Sequence, residues 1–142
     1  MTNGRNKGAS FEREVSLLIH DQLGVKVKRD LEQYRLAGKG DLIGLDGWLI
    51  ECKRYANTTA NNIHKDAWWS QTCAAALLTG ERPVLIYKFD RQPIRCVVYL
   101  SAINEAFSNK DDIATVSFET WCMLVRESFC DQPIKPFPQL VS

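Results

Sequence analysis

No stretch of apolar residues in this chain is long enough to cross a membrane, and no basic segment followed by an apolar one opens it. Neither a membrane span nor a signal peptide is therefore expected. Five cysteines, at 52, 73, 96, 122 and 130, are odd in number and lack any Cys-x-x-Cys spacing. That argues against a disulfide framework and a zinc site, and for reduced thiols in a cytoplasm. Only two histidines occur, neither with an acidic partner at metal-ligand spacing, so polar surface is their default role. Charge of one sign is missing too: 18 Lys and Arg stand against 17 Asp and Glu, a net +1. No internal repeat or low-complexity tract stands out.

What is present is an ordinary globular composition over 142 residues, 45% hydrophobic and 25% charged. One domain spanning 1–142 is expected, with a core over about 7–100 and an extension over about 101–142.

The most informative stretch is Gly38 to Lys53. Leu42, Ile43 and Leu45 lead into Asp46-Gly47, a strong turn signal, and Trp48, Leu49 and Ile50 lead out, which predicts a β-hairpin. Side chains alternate along a strand, so Leu49, Glu51 and Lys53 share one face while Ile50, Cys52 and Arg54 take the other. The position of Asp41 depends on the turn. A two-residue loop would set Asp41 opposite Cys52, whereas a three-residue loop, Leu45-Asp46-Gly47 with Gly47 left-handed, sets it opposite Glu51. The second register is predicted, because only it, or an equivalent bulge, converges the carboxylates. Asp41 and Glu51 then meet the minimum oxygen set for a hard cation such as Mg2+, with Mn2+ as a substitute, and the Cys52 carbonyl adds a backbone ligand. The Lys53 ammonium meets charge developing on phosphate. The chemistry expected of this set is phosphodiester hydrolysis.

Upstream, Ser10 is a good N-cap, and Phe11, Val15, Leu18 and Ile19 recur at helical spacing until Leu23-Gly24. The first nine residues are expected to form a mobile polar arm, in which Arg5 and Lys7 could follow a phosphate. Periodicity leaves Glu12 and Glu14 as equal candidates for the site; Arg13 is a candidate phosphate contact or an intrahelical ion-pair partner. Val25 to Lys28 alternates as a half-exposed strand. Asp30 to Lys39 reads either as a substrate loop, with Gln33, Tyr34, Arg35 and Lys39 offered to nucleic acid, or as a short helix packing Leu31, Tyr34 and Leu36 on the core.

Downstream, Asn61 to Leu78 is helical, and its adjacent Trp68 and Trp69 point about 100° apart: one belongs to the core, the other to a subunit contact or a cover for the site. His64 and Lys65 open this helix within reach of DNA. Pro83 to Phe89 is a continuous apolar run, as in a central strand covered on both faces; Asp90 to Pro93 is a turn and Ile94 to Leu100 a further strand. Ser117 to Phe129 carries a helical apolar stripe, followed by a Pro-rich extended tail. The order of elements predicts an α/β fold with a mixed central sheet flanked by helices.

At these residues the sequence resembles the PD-(D/E)xK nuclease superfamily, and within it the Holliday junction resolvases of archaeal and phage type. The resemblance is carried by Lys7-Gly8-Ala9-Ser10-Phe11-Glu12-Arg13-Glu14, then Asp41, then Glu51-Cys52-Lys53, over roughly residues 7 to 100. It departs where Asp30 to Lys39 is longer than in compact archaeal members, and where Gly40 replaces the usual Pro before the Asp. It implies a restriction-endonuclease-like core, Glu12 rather than Glu14 as the third acid, a basic substrate contact at Arg29, and Gln71 as a helix glutamine orienting water or phosphate. The charge division is compatible: residues 1–65 hold 11 Lys and Arg against 8 Asp and Glu, residues 66–142 hold 7 against 9. A divalent cation on the three acids leaves the first half clearly basic, and binding to DNA backbone salt-sensitive.

The expected function is a Mg2+-dependent structure-selective endonuclease, most simply a Holliday junction resolvase of phage or prophage origin acting as a homodimer on branched DNA. A restriction- or repair-type endonuclease of the same fold, and a non-catalytic DNA-binding module, are the alternatives.

Overall fold

The computed structural model describes residues 4–30, 40–56 and 63–131. Its first element is a helix, α1, over Gly4–Leu23. It begins six residues before the predicted N-cap, so Ser10 lies inside the helix and the expected mobile arm is corrected to helix from Gly4. Between Arg5 and Ala9 the one weak helix former is Gly8, which a helix interior tolerates, and Lys7 is tied by its Nζ to Asp90 Oδ2 at 3.2 Å. The C-terminal end is as read: Gly24 is left-handed (φ 69°) and its N–H bonds to the His20 carbonyl.

Short strands β1 (Lys28–Arg29) and β2 (Leu42–Ile43) precede the long β3 (Trp48–Tyr55). Helix α2 (Asp66–Thr79) crosses over to β4 (Arg82–Phe89), then β5 (Arg95–Tyr99), a 3-10 turn at Leu100–Ala102, β6 (Ile113–Ser117) and helix α3 (Phe118–Asp131). The six strands form one sheet in sequence order. Only β3 and β4 pair in parallel, across the α2 crossover; the other pairs are antiparallel. The predicted strand over Val25–Lys28 shrinks to β1, although Lys26 and Lys28 are exposed and Val27 buried as the alternation requires.

The continuous apolar run of β4 reads out as expected for a strand covered on both faces. Val84 and Ile86 turn to one side, where Phe11, Val15 and Ile19 of α1 and Phe118, Trp121 and Val125 of α3 close the main core. Leu85, Tyr87 and Phe89 turn to the other, where Trp68 of α2 covers them. Trp68 is the core member of the tryptophan pair; Trp69 is half-buried edge-on against Tyr99, their centroids 5.2 Å apart. The core extends past residue 100, because Trp121 and Cys122 are fully buried and β6 adds an edge strand. Cys52, Cys73, Cys96 and Cys122 are free thiols. Among the described residues no helix is long and apolar enough to cross a membrane.

Candidate active site

The register of the β2–β3 hairpin decides whether a site exists. Leu42 pairs with Ile50, which sets Asp41 opposite Glu51, and Gly47 takes a φ of 86° in the turn. This is the three-residue alternative, with the left-handed glycine where that loop needs one. The Asp41 N–H donates to the Ile50 carbonyl at 2.8 Å, and the Cys52 N–H donates to Asp41 Oδ2 at 2.7 Å. Asp41 is thus fixed at backbone and side chain by the strand that carries Glu51. Close approach requires the residue before it to be glycine: a Cβ on Gly40 would lie 2.5 Å from the Ile50 carbonyl oxygen. The departure from Pro therefore has a local cause.

Asp41 and Glu51 are both buried, at 7% and 5% exposure. Burial pushes the Glu51 carboxyl up to about 9, helped by the charge of Asp41 and a hydrogen bond between the two acids, and opposed by Lys53. Two buried acids sharing a hydrogen bond lack a counter-charge between them. The Cys52 thiol points away into the main core and is raised well above its ordinary value, chiefly by burial. A strand residue's N–H and C=O leave by the same edge, so the Cys52 carbonyl faces the edge on which its N–H meets Asp41. Half-buried Lys53 follows on the Glu51 side of β3.

Glu12 comes from α1, and its Oε2 accepts a hydrogen bond from Arg29 Nε at 2.8 Å. Burial raises its carboxyl, Arg29 opposes this, and the Asp41 charge raises it further, so Glu12 stands in the field of the hairpin acids. Glu14 and Arg13 are exposed. Among the described residues no group of three or more His, Cys, Asp or Glu is gathered that could hold a metal ion. Two acids meet, and the third is drawn to Arg29. The donor chemistry nonetheless fits a hard divalent cation, since the close pair is all oxygen and both carboxyls are buried side by side.

The basic candidates separate. Arg29 is engaged by Glu12, and Lys7 by Asp90, which also pairs with Arg54. Lys7 pulls the Asp90 carboxyl below its ordinary range, with Arg54 adding to the effect. Arg35 and Lys39, with the rest of the expected substrate loop over 31–39, lie outside the described residues. Gln71 is exposed on α2, about 200° around the helix from Trp69. That is the side away from Tyr99. A cavity of about 810 Å3 bounded by Arg82, Tyr99, Glu105 and Glu127 shares no residue with the acids.

Sequence reasoning missed the Tyr55–Trp68 stack at the end of β3, with centroids 4.8 Å apart, and the two ion pairs that occupy Lys7 and Arg29. Sequence separations of 83 and 17 residues leave no local pattern for those pairs to follow.

The family model described as "Phage putative PDDEXK endonuclease" matches residues 3–127. No curated protein matches the chain. Among solved structures the chain is similar to Hjc, a Holliday junction resolvase from the archaeal hyperthermophile Archaeoglobus fulgidus. That likeness has 14% identity and a TM-score of 0.49, covering 84% of this chain and 98% of that one. The mixed sheet with flanking helices is the α/β architecture expected from the order of elements.

Proposed function

This chain belongs to the phage PD-(D/E)xK endonuclease family, and from that membership we propose that it is a Mg2+-dependent endonuclease selective for branched DNA, of the Holliday junction resolvase type. The observation that carries the reading is the hairpin register: Asp41 opposite Glu51, with Lys53 next on the same face of β3.

In this reading Asp41, Glu51 and the Cys52 carbonyl hold the cation, and Glu12 joins them on release from Arg29. When bound, a divalent cation supplies Lewis-acid polarisation of the phosphate and lowers the pKa of water. Asp41 orients its carboxylate through the Cys52 N–H, so the acid is positioned before substrate arrives. Lys53 presents a positive charge to the phosphate oxygens as their charge grows. Gln71, from the same side of the sheet, contacts the phosphate or the attacking water. Arg13, exposed one residue from Glu12, contacts a flanking phosphate; Arg29 does so once it leaves Glu12, and Lys7 once it leaves Asp90. Arg35 and Lys39 extend the same basic track.

Support for a junction-cutting enzyme comes from the first-helix pattern Lys7-Gly8-x-x-x-Glu12-Arg13-Glu14, whose Glu12 lies within the field of Asp41. Two related strands of a four-way junction must be nicked, and a two-fold homodimer presents two equivalent sites. Nicking of a labelled four-way junction in competition with excess linear duplex of the same sequence tests this. Paired symmetric cuts on the junction that survive the competitor are expected; equal cutting of the linear duplex would assign a restriction- or repair-type activity instead.

A further inference from the structure

The face of β3 that carries Glu51 and Lys53 continues to Tyr55. Two strand residues advance about 7 Å, so Tyr55 stands that far beyond Lys53 on the same side. Its ring stacks on Trp68, with planes 25° from parallel. Trp68 is in turn wedged against Tyr87 and Phe89, at centroid distances of 6.2 and 6.0 Å. Lys65 Nζ lies 4.9 Å from the Tyr55 centroid and 5.7 Å from that of Trp68. With the two ring centroids 4.8 Å apart, these three points form a nearly equilateral triangle. The ammonium therefore lies toward the Trp68 side of the Tyr55 ring, and among the described residues no ring or cation is placed on the opposite face. Tyr55 is 42% exposed.

An aromatic ring with one face backed by the core, the other uncovered among the described residues, and a cation within 4.9 Å of its centroid is the arrangement that stacks a planar ring and holds the phosphate attached to it. We propose that the open face of Tyr55, with Lys65 beside it, is a stacking platform for an unpaired nucleobase of the DNA strand engaged at Lys53. This rests on the endonuclease reading and deepens it. Every base inside a linear duplex is already stacked on both faces. Only a base freed at a branch point, bulge or single-stranded end has a face to offer Tyr55. The platform therefore contributes to selection of branched DNA without reading sequence, roughly one or two nucleotides from the phosphate that Lys53 addresses.

The test is binding to four-way junctions with one abasic nucleotide placed in turn at each position near the branch, measured by anisotropy in EDTA for wild type, Tyr55→Phe and Tyr55→Leu. Leucine retains packing on Trp68 but removes the aromatic face; phenylalanine retains both. Wild type is expected to lose roughly tenfold in affinity at one abasic position. Tyr55→Leu should bind the intact junction that much more weakly and be indifferent to the abasic position, while Tyr55→Phe behaves as wild type. Such non-additivity is a direct coupling between ring and base. Tyr55→Leu binding as wild type, or weakened equally on every substrate, overturns the platform alone. A wild type that binds no DNA at all overturns the endonuclease reading and the platform with it.

Discussion

Replacing Glu51 by glutamine removes a buried acid while preserving its size and its ability to hydrogen-bond Asp41. In the folded protein the Glu51 carboxyl is raised from an ordinary 4.5 to about 9, by burial first and the Asp41 charge second. A raised acid is neutral without penalty below pH 4.5, so its stabilisation is fully present there. As pH climbs toward 9 the unfolded chain ionises while the folded one resists, and stability is lost. At pH 8 the linkage has a ceiling of about 5 kcal/mol. Water entry and side-chain relaxation around a buried pair reduce it, and about 2 kcal/mol is a working value. Glutamine does not titrate. In EDTA, Glu51→Gln and wild type should therefore melt within a degree or two of each other at pH 5. At pH 8 the variant should melt roughly 6 °C higher, for a chain of this length. Adding Mg2+ should narrow that gap by stabilising wild type selectively, while the variant remains inactive. Thermal melts across pH with and without Mg2+ read all of this. A variant no more stable than wild type at pH 8, or a gap that does not widen with pH, refutes the argument that Glu51 and Asp41 form an uncompensated buried pair.

Gly40→Ala places a Cβ 2.5 Å from the Ile50 carbonyl oxygen; the hairpin must shift, so cleavage should fall at least tenfold with a modest loss of melting temperature, measured by nicking rate and thermal melt. Trp121→Ala empties the fully buried centre of the main core, beside Trp48 at a centroid distance of 5.8 Å. Denaturant unfolding should show a loss of about 3–5 kcal/mol, or failure to fold. Arg29→Gln frees the Glu12 carboxylate from its ion-pair partner at 2.8 Å, and titration of Mg2+ by calorimetry should show tighter binding even as junction affinity falls; unchanged Mg2+ affinity would separate Glu12 from the cation site.

The hairpin was legible because one dipeptide, Asp46-Gly47, and one requirement, that two acids meet, left a choice of two registers. The β4 strand was legible because five consecutive apolar residues, Pro83 to Tyr87, need cover on both faces. The sixth strand was not, since Ile113 to Ser117 forms an edge with alternate residues exposed and half-buried and lacks a strong apolar alternation. The start of α1 was misplaced because a good N-cap residue, Ser10, sits inside a helix that continues upstream through residues with no apolar signal. Glu12 could not be separated from Glu14 by periodicity; the tertiary pairing with Arg29 and the field of Asp41 separate them. Nothing in the local sequence marks Tyr55, and only the arrival of α2 brings Trp68 and Lys65 to its ring.

The central claim is that Asp41 and Glu51, opposed across the hairpin with Lys53 beside them, make a metal-dependent site that cuts DNA. The most direct measurement is the single-turnover nicking rate on a four-way junction for wild type and Asp41→Asn, in Mg2+ and in EDTA, with junction binding measured alongside. Wild type should nick in Mg2+ alone, and Asp41→Asn should bind undiminished without nicking; nicking that survives EDTA or the loss of the Asp41 charge would rule out a metal site built on this pair.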